Sequence, residues 1–236
     1  MKNPPLVSII LPCYNEAEHL AESIAEIKRV SRSFDFEYEF IFVDDCSKDE
    51  TVAILKSISE SSTHSQFVYH SRNSGRGAAV KTGYSVARGS IVGFIDIDLE
   101  ISPRYIGEMI AKLDKYDVVI GNRAYFSQFS FNSVMRNFIS RSYKRISRIV
   151  LRHPFTDTEV GFKFFRKEKV APFFDNILDN HWFWDTEFML ATNKHGLKVF
   201  EYPVEFVRNK RKASTVKLRT DIRKYIHAMY KYKRRK

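Results

Sequence analysis

The chain has 236 residues, 44% hydrophobic and 28% charged, with 39 Lys/Arg against 28 Asp/Glu and a net charge of +11. That suits one soluble globular domain, alone or with appendages, with apolar material enough for a sizeable core. Two cysteines, Cys13 and Cys46, make no disulfide framework and point to a reducing compartment. No stretch approaches the ~18 to 20 apolar residues of a membrane span, and the first strand begins too early to leave room for a signal peptide.

The positive charge is segregated. Residues 118–156 hold seven Lys/Arg and no acid, and residues 207–236 hold thirteen with Asp221 alone against them. Without those twenty bases and one acid, 19 Lys/Arg face 27 Asp/Glu, so the rest of the body is acidic. A polyanionic partner follows: nucleic acid, anionic lipid headgroups or a phosphorylated substrate.

In chain order, residues 6–11 (LVSIIL) form a β-rich apolar run closed by Pro12, a buried strand. A turn at Tyr14, Asn15 and Glu16 leads into 17–30, where apolar residues at 20, 24, 27 and 30 keep a helical period. Residues 38–43 (YEFIFV) are a second strand ending in Asp44-Asp45-Cys46-Ser47. Ser47 with Glu50 is a capping-box pattern that predicts a helix over 52–58. A third strand over 67–70 is followed by Asn73-Ser74-Gly75-Arg76-Gly77 and a helix over 78–87. The fourth strand is 91–95; a helix initiated by Pro103 runs to 113, and 118–121 is a fifth strand.

Beyond that the pattern loosens. Residues 126–152 place Met135, Phe138/Ile139, Ser142, Ile146 and Ile149/Val150 on one helical face and Arg136, Arg141, Lys144, Arg145, Arg148 and Arg152 over much of the remainder. This is a basic amphipathic segment suited to an anionic membrane surface, or a core-packed helix with a solvated basic face. Residues 157–165 are strand-like around Gly161, and 182–194 read as a helix ending at Gly196. Residues 197–207 are a strand with an edge or bulge at Pro203, and the tail from 216 is a basic helix.

The stretch 91–100 (IVGFIDIDLE) organises the rest. Its apolar half is a strand buried on both faces. Asp96, Asp98 and Glu100 then alternate, so in extended chain all three project from one side. Such carboxylates repel unless a cation sits between them; otherwise the acids of a strand end simply face water. Regular strand–helix alternation argues an α/β fold with a mainly parallel sheet and helices on both faces, where ligands bind beyond the carboxyl ends of the strands. Pro12 and Tyr14, Asp44 and Asp45, and Asp96 and Asp98 all fall at such ends and converge on one rim.

The motifs VSIILPCYNE, FIFVDDCSKDET, NSGRGAAVKTGYSVARG, FIDIDLEISP, VVIGNR, DTEVGFKFFRK, WFWDTEFMLATNKHGLKVFEYPV and STVKL run from about residue 6 to 220. In this order they resemble family 2 inverting glycosyltransferases of the Rossmann-like GT-A fold, in particular the polyprenyl-phosphate (dolichyl-phosphate) sugar synthases. DTEVGFK and WFWDTE look most like the glucose synthases of that group. The mannose synthases usually carry Gln at the third acidic position, here Glu100, and many relatives have transmembrane helices that are missing here. The resemblance implies a catalytic domain over 1–215, with 126–152 facing membrane or acceptor, and a basic C-terminal helix over 216–236.

It also implies roles. Asp96, Asp98 and Glu100 hold Mg²⁺ or Mn²⁺ on the donor diphosphate, all-oxygen ligands suiting such hard ions. Pro12, Tyr14, Glu16 and Asp45 recognise the base, Tyr14 by stacking and Asp45 by accepting from a base N–H. Asp44 holds the turn, although either acid could be the ligand. Gly75 and Gly77 let backbone approach the donor. Arg123 and Arg136, with Arg208, Arg211, Ser214 and Lys217 of the tail, contact phosphates.

The acceptor decides whether a base is required. A polyprenyl phosphate attacks unaided, whereas a sugar hydroxyl needs a positioned carboxylate, for which Asp157, Asp185 and Glu187 are candidates. With a lipid phosphate those acids instead orient the sugar or the phosphate-binding arginines. Trp182 and Trp184 line the sugar or lipid path, though their helix spacing sends one of them to the core. The expected enzyme is a transferase peripheral on the cytoplasmic face of a membrane, moving a hexose from UDP-glucose, or alternatively GDP-mannose, to a polyprenyl phosphate. The rival is a family 2 enzyme adding sugar to a hydroxyl in a polysaccharide or glycan. Nucleic acid is not an expected partner, because no nucleic-acid module accompanies the charge.

Overall fold

The computed structural model describes residues 6–60, 62–125, 145, 147–207 and 218–235. Among them, strands run over Val7–Cys13 (β1), Tyr38–Asp44 (β2), Ser65–Tyr69 (β3), Ile91–Ile95 (β4), Val118–Tyr125 (β5), Phe162–Arg166 (β6) and Val199–Phe206 (β7). Helices cover Ala17–Ser31 (α1), Thr51–Glu60 (α2), Arg76–Val86 (α3), Ile106–Lys112 (α4), Lys167–Phe174 (α5), Phe183–Lys194 (α6) and Leu218–Arg234 (α7).

The strands form one seven-stranded sheet in the order β3-β2-β1-β4-β6-β5-β7, flanked by helices. β1 pairs in parallel with β2 and β4, β2 with β3, and β5 with β7. β6 runs antiparallel to both of its neighbours, β4 and β5. Six strands therefore end at the same rim, and β6 begins there. The crossover between β1 and β4 is the point at which an open α/β sheet offers a crevice. β1 and β4 are buried almost throughout, as their unbroken apolar runs require. The edges, β3 and β7, are half-buried, and Pro203 lies in edge strand β7, where a missing N–H is tolerated.

The core is aromatic. Phe94, Phe162, Phe164, Phe165, Phe174, Phe188 and Trp184 are all fully buried. α7 packs on α6 through Phe183, Leu190, Tyr225 and Met229, with Leu151 joining them. Gly196 follows α6 in the left-handed region (φ 67°), and the Leu197 N–H reaches Thr192 O at 3.1 Å, closing the helix as expected. No helix among the described residues is long and apolar enough to cross a membrane.

Several expectations are corrected. The capping box does not form: the Ser47 hydroxyl donates to Asp44, and it is Asp49 Oδ1 that accepts from Thr51 N–H at 3.1 Å at the start of α2. Residues 157–161 are not strand; pairing begins at Phe162. α5, with Pro172 inside it, was not foreseen. Within the predicted amphipathic segment, Ser147 and Leu151 are buried whereas Ile149 is exposed; Met135, Arg136, Phe138, Ile139, Arg141, Ser142, Lys144 and Ile146 lie outside the described residues or side chains.

Candidate active site

The loops after β1 and β2 are stitched to each other. Asn15 N–H donates to Ser47 Oγ at 2.8 Å, Lys48 N–H to Asn15 Oδ1 at 2.7 Å, and Glu16 N–H to Thr51 Oγ1 at 2.8 Å. Asn15 and Cys46 both take positive φ, which lets the two turns fold back on each other. Buried Asp44 accepts from Ser47 N–H at 2.9 Å and from the Ser47 hydroxyl, so it holds the turn. Pro12 sits in β1 beside Val43, and Tyr14 stands exposed at the rim.

Asp45 is also buried, and its carboxylate is occupied by the protein. Oδ1 accepts from Ser74 N–H at 2.8 Å and lies 2.7 Å from His70 Nδ1, and Oδ2 accepts from Gly75 N–H at 2.8 Å. His70 Nε2 in turn lies 2.8 Å from Thr82 Oγ1. Asp45 thus ties the loop before α3 to the end of β2. The glycines of that loop answer a close approach by the chain itself. Gly75 has φ 98°, and a Cβ on Gly77 would stand 2.5 Å from Trp184 Cβ.

The acidic triplet does not continue as extended strand. β4 stops at Ile95, and Asp96 N–H turns to Gly161 O at 2.9 Å. Leu99 N–H returns to Asp96 O at 3.3 Å, with Leu99 at φ 50°. Val207 N–H donates to Glu100 O at 2.8 Å, and Ile101 bridges Phe206, so the end of β7 braces the far side of the turn. Asp96, Asp98 and Glu100 nonetheless line one pocket, together with Arg123, Gly161 and Phe206.

Behind Asp96 lies a buried network that joins the expected Asp185 to two residues the sequence did not single out, Arg76 and Lys163. Arg76 donates to Asp96 Oδ1 from Nε at 2.9 Å and Nη2 at 2.7 Å, and its Nη1 donates to Asp185 Oδ2. The other Asp185 oxygen accepts from Lys163 Nζ at 2.6 Å, and Lys163 also donates to Val160 O. Lys163 and Asp185 are 0% and 1% exposed, and both cations lie over the Phe94 ring, at 5.2 Å for Lys163 and 5.3 Å for Arg76. Burial alone would pull the Arg76 guanidinium down, but the carboxylates of Asp185, Asp96 and Asp98 outweigh it and hold it above its ordinary value. Burial pulls Lys163 below its ordinary value, with Asp185 opposing.

Arg123, in β5, is gripped by a second buried acid. Its Nε and Nη2 donate to Asp157 Oδ2 and Oδ1 at 2.6 and 2.9 Å, a bidentate pair, and the guanidinium lies over Phe206. Asp157 and Asp185 therefore both orient arginines. Glu187 lies apart from the pocket lining: Oε2 accepts from Asp179 N–H at 2.8 Å and Leu178 N–H at 3.2 Å, and Arg235 approaches Oε1 at 3.5 Å. Trp184 is fully buried and Trp182 exposed, so the pair splits between core and surface. Arg136, Arg208, Arg211, Ser214 and Lys217 lie outside the described residues.

The ligand chemistry fits a hard divalent cation: Asp96, Asp98 and Glu100 bring carboxylate oxygens to one pocket, and Asp96 also pairs with Arg76. Among the described residues, no three His, Cys, Asp or Glu side chains make a ready cation cage. Ions of the Mg²⁺ type usually take one or two carboxylates plus substrate phosphates, so the residues suit an ion shared with a diphosphate.

The glycosyl transferase family 2 model matches residues 8–174. Glycosyltransferase AglD of Haloferax volcanii is 30% identical over 204 residues, which is 85% of this chain and 33% of that protein. Dolichyl-phosphate beta-glucosyltransferase ALG5C of Trichomonas vaginalis is 27% identical over 212 residues, 84% of this chain and 63% of that protein. The chain thus spans less than two thirds of either relative. Among solved structures, glucosyl-3-phosphoglycerate synthase from Mycobacterium tuberculosis, in complex with Mn²⁺, UDP and glucosyl-3-phosphoglycerate, superposes with a TM-score of 0.69. That match has 19% identity and covers 94% of this chain and 77% of that one, a likeness of fold, the GT-A fold. The family match takes in more than half of the chain, including the acidic turn and Arg123, so this chain belongs to glycosyl transferase family 2 and is a glycosyltransferase.

Proposed function

We propose that the protein moves one hexose from a nucleotide-diphosphate sugar to a polyprenyl (dolichyl) phosphate at a membrane surface, inverting the anomeric centre. UDP-glucose is the favoured donor, supported by the dolichyl-phosphate beta-glucosyltransferase relatives; GDP-mannose is the alternative.

The observation that carries the acceptor assignment is how the candidate bases are employed. A hydroxyl acceptor needs a carboxylate placed to take its proton. Asp185 has one oxygen on Arg76 and the other on Lys163, Asp157 has both on Arg123, and Glu187 faces a loop backbone. A phosphate acceptor is already an anion near neutral pH and needs no base.

In the reaction a phosphate oxygen of the acceptor bonds to the anomeric carbon as the bond from that carbon to the β-phosphate oxygen breaks. The electron pair leaves with the nucleoside diphosphate, and no proton has to move. Mg²⁺ or Mn²⁺ on Asp96, Asp98 and Glu100 would supply neutralisation of the leaving diphosphate. Arg123, fixed by Asp157, brings positive charge to the same pocket. Tyr14 stacks on the base, beside Pro12 and Glu16, and Asp44 and Asp45 shape the loops beneath it. Arg136, Arg208, Arg211, Ser214 and Lys217 grip the acceptor phosphate, and the basic segments 126–152 and 216–236 hold the enzyme peripherally on the cytoplasmic face of an anionic membrane.

Purified protein given radiolabelled UDP-glucose or GDP-mannose, polyprenyl phosphate and Mn²⁺ should place label in an organic-extractable product. Label entering only a sugar-hydroxyl acceptor, with none in lipid from either donor, contradicts the reading.

A further inference from the structure

We infer that Tyr225, in the basic C-terminal helix, is a positioning residue of the transferase: its hydroxyl, through Thr186 and Thr158, fixes the loop that sets Arg123 in the donor pocket. The inference rests on the reading of Arg123 as a cation for the donor's diphosphate. Residues 157–161 belong to no strand or helix, yet they hold two sides of the pocket. Asp157 grips Arg123 Nε and Nη2 at 2.6 and 2.9 Å, and Gly161 O accepts from Asp96 N–H at 2.9 Å. Without the hydrogen bonds of a ladder, such a segment takes its position from side-chain ties.

Thr158 supplies one of those ties, and it leads away from the pocket. Its Oγ1 lies 2.9 Å from Thr186 Oγ1 in α6, which lies 2.6 Å from the Tyr225 hydroxyl in α7. A hydroxyl gives one hydrogen bond and accepts two, so Thr186 can serve both neighbours at once. Thr158, Thr186 and Tyr225 are 6%, 0% and 7% exposed, so water neither competes for these bonds nor replaces a lost partner. The Tyr225 ring is seated independently of its hydroxyl, edge-on to Phe183 at 5.0 Å and beside Leu190 and Met229. The loop is also tied to the sheet, by Thr156 to Glu201 and by Val160 O to Lys163, so breaking the chain of hydroxyls loosens Arg123 rather than freeing it. α7, read above as a membrane-binding helix, thereby also tightens the grip on the donor.

The test is calorimetric binding, with Mn²⁺, of UDP or GDP, whichever the wild type binds more tightly. The single variants are Tyr225→Phe, Thr158→Val, Thr158→Ser, Arg123→Lys and Met229→Leu, each checked for folding by thermal unfolding. Tyr225→Phe is also combined with Thr158→Val and, separately, with Arg123→Lys. Tyr225→Phe and Thr158→Val should each weaken binding about threefold, part of what one hydrogen bond at Arg123 is worth, and together no further. Thr158→Ser, which restores the hydroxyl, should recover the wild-type affinity. Met229→Leu, which alters packing on the same face of α7, should leave it unchanged. In the Arg123→Lys background Tyr225→Phe should cost nothing more, because the chain acts through that guanidinium. A folded Tyr225→Phe with wild-type affinity overturns the inference. So does a loss shared by Met229→Leu, or one that adds in full to the loss in Arg123→Lys. If Tyr225→Phe does not fold, Thr158→Val against Thr158→Ser decides alone. Arg123→Lys that binds as tightly as wild type removes Arg123 from the donor site and the inference with it, whereas failure of the chain alone leaves that reading standing. Wild type that binds neither nucleotide contradicts the donor reading itself and takes the inference with it, a third and separate result.

Discussion

Asp185 offers the sharpest separation between an anchor and a base. In Asp185→Asn the shape is kept and the charge removed, leaving Lys163 and Arg76 facing a neutral amide in a site where Lys163 is 0% and Asp185 1% exposed. Removing one partner of a buried ion pair costs about 3 to 5 kcal/mol, and the surviving amide oxygen argues for the lower end. At about 2 to 4 °C per kcal/mol for a chain of this size, the melting temperature should fall by roughly 6 to 12 °C. Adding Lys163→Met, which removes the stranded cation, should recover a good part of that loss. Turnover at a temperature where the variant stays folded should drop by no more than about tenfold, through a loosened Arg76. A base would behave otherwise: the loss would be about 10² to 10⁴ in kcat with stability intact. Urea unfolding and kcat measured on the single and double variants decide the matter. A single variant that melts with the wild type yet has lost a hundredfold or more in kcat refutes the anchor role and reinstates a hydroxyl acceptor.

Within the pocket, Glu100→Gln should keep kcat/KM within about tenfold, since an amide oxygen can still ligate, whereas Asp98→Asn should lose on the order of a hundredfold or more; equal losses in steady-state kinetics would contradict the unequal roles. Arg123→Lys abandons the two-bond grip on Asp157 and should lower kcat/KM about tenfold, the worth of one charge-assisted hydrogen bond; unaltered kinetics would remove Arg123 from the site. Burial and Arg148 push the buried His153 down to about 4, so it is neutral in the fold while the unfolded chain binds a proton below about 6.5. Stability should therefore be complete above pH 6.5 and fall towards pH 4, by about 1 to 2 kcal/mol already at pH 5. Urea titrations of wild type and His153→Gln should show this slope only in the former, and a slope shared by both would assign it elsewhere.

Much of the rim could be read from sequence because its strands are short apolar runs closed by Pro12, Asp44 or Asp96, signals that are local. What escaped is non-local. β6 reverses direction between β4 and β5, and nothing within FKFFR announces an antiparallel partner on each side. Alternation would also send Lys163 to solvent, opposite Phe162 and Phe164; the sheet is covered on both faces, so it is buried against an acid 22 residues away. Arg76 sits between Gly75 and Gly77, in a motif read for its backbone's approach to the donor, and its partner Asp185 is 109 residues on. The acids of 96–100 were placed at the correct edge but in the wrong backbone, because alternation implies an extended chain while no further β1 pairing follows Phe94 and the backbone turns to Gly161. α5 is eight residues long with an internal proline, too short a pattern to show a period.

The central claim is that the nucleophile arrives as an anion and needs no base from the protein. Polyprenyl phosphate and the same polyprenol without its phosphate, presented in identical vesicles with Mn²⁺ and labelled UDP-glucose, test it most directly. The account predicts a lipid-linked hexose from the phosphate and none from the alcohol. Transfer to the alcohol, or to a sugar hydroxyl in preference to the lipid phosphate, would contradict it.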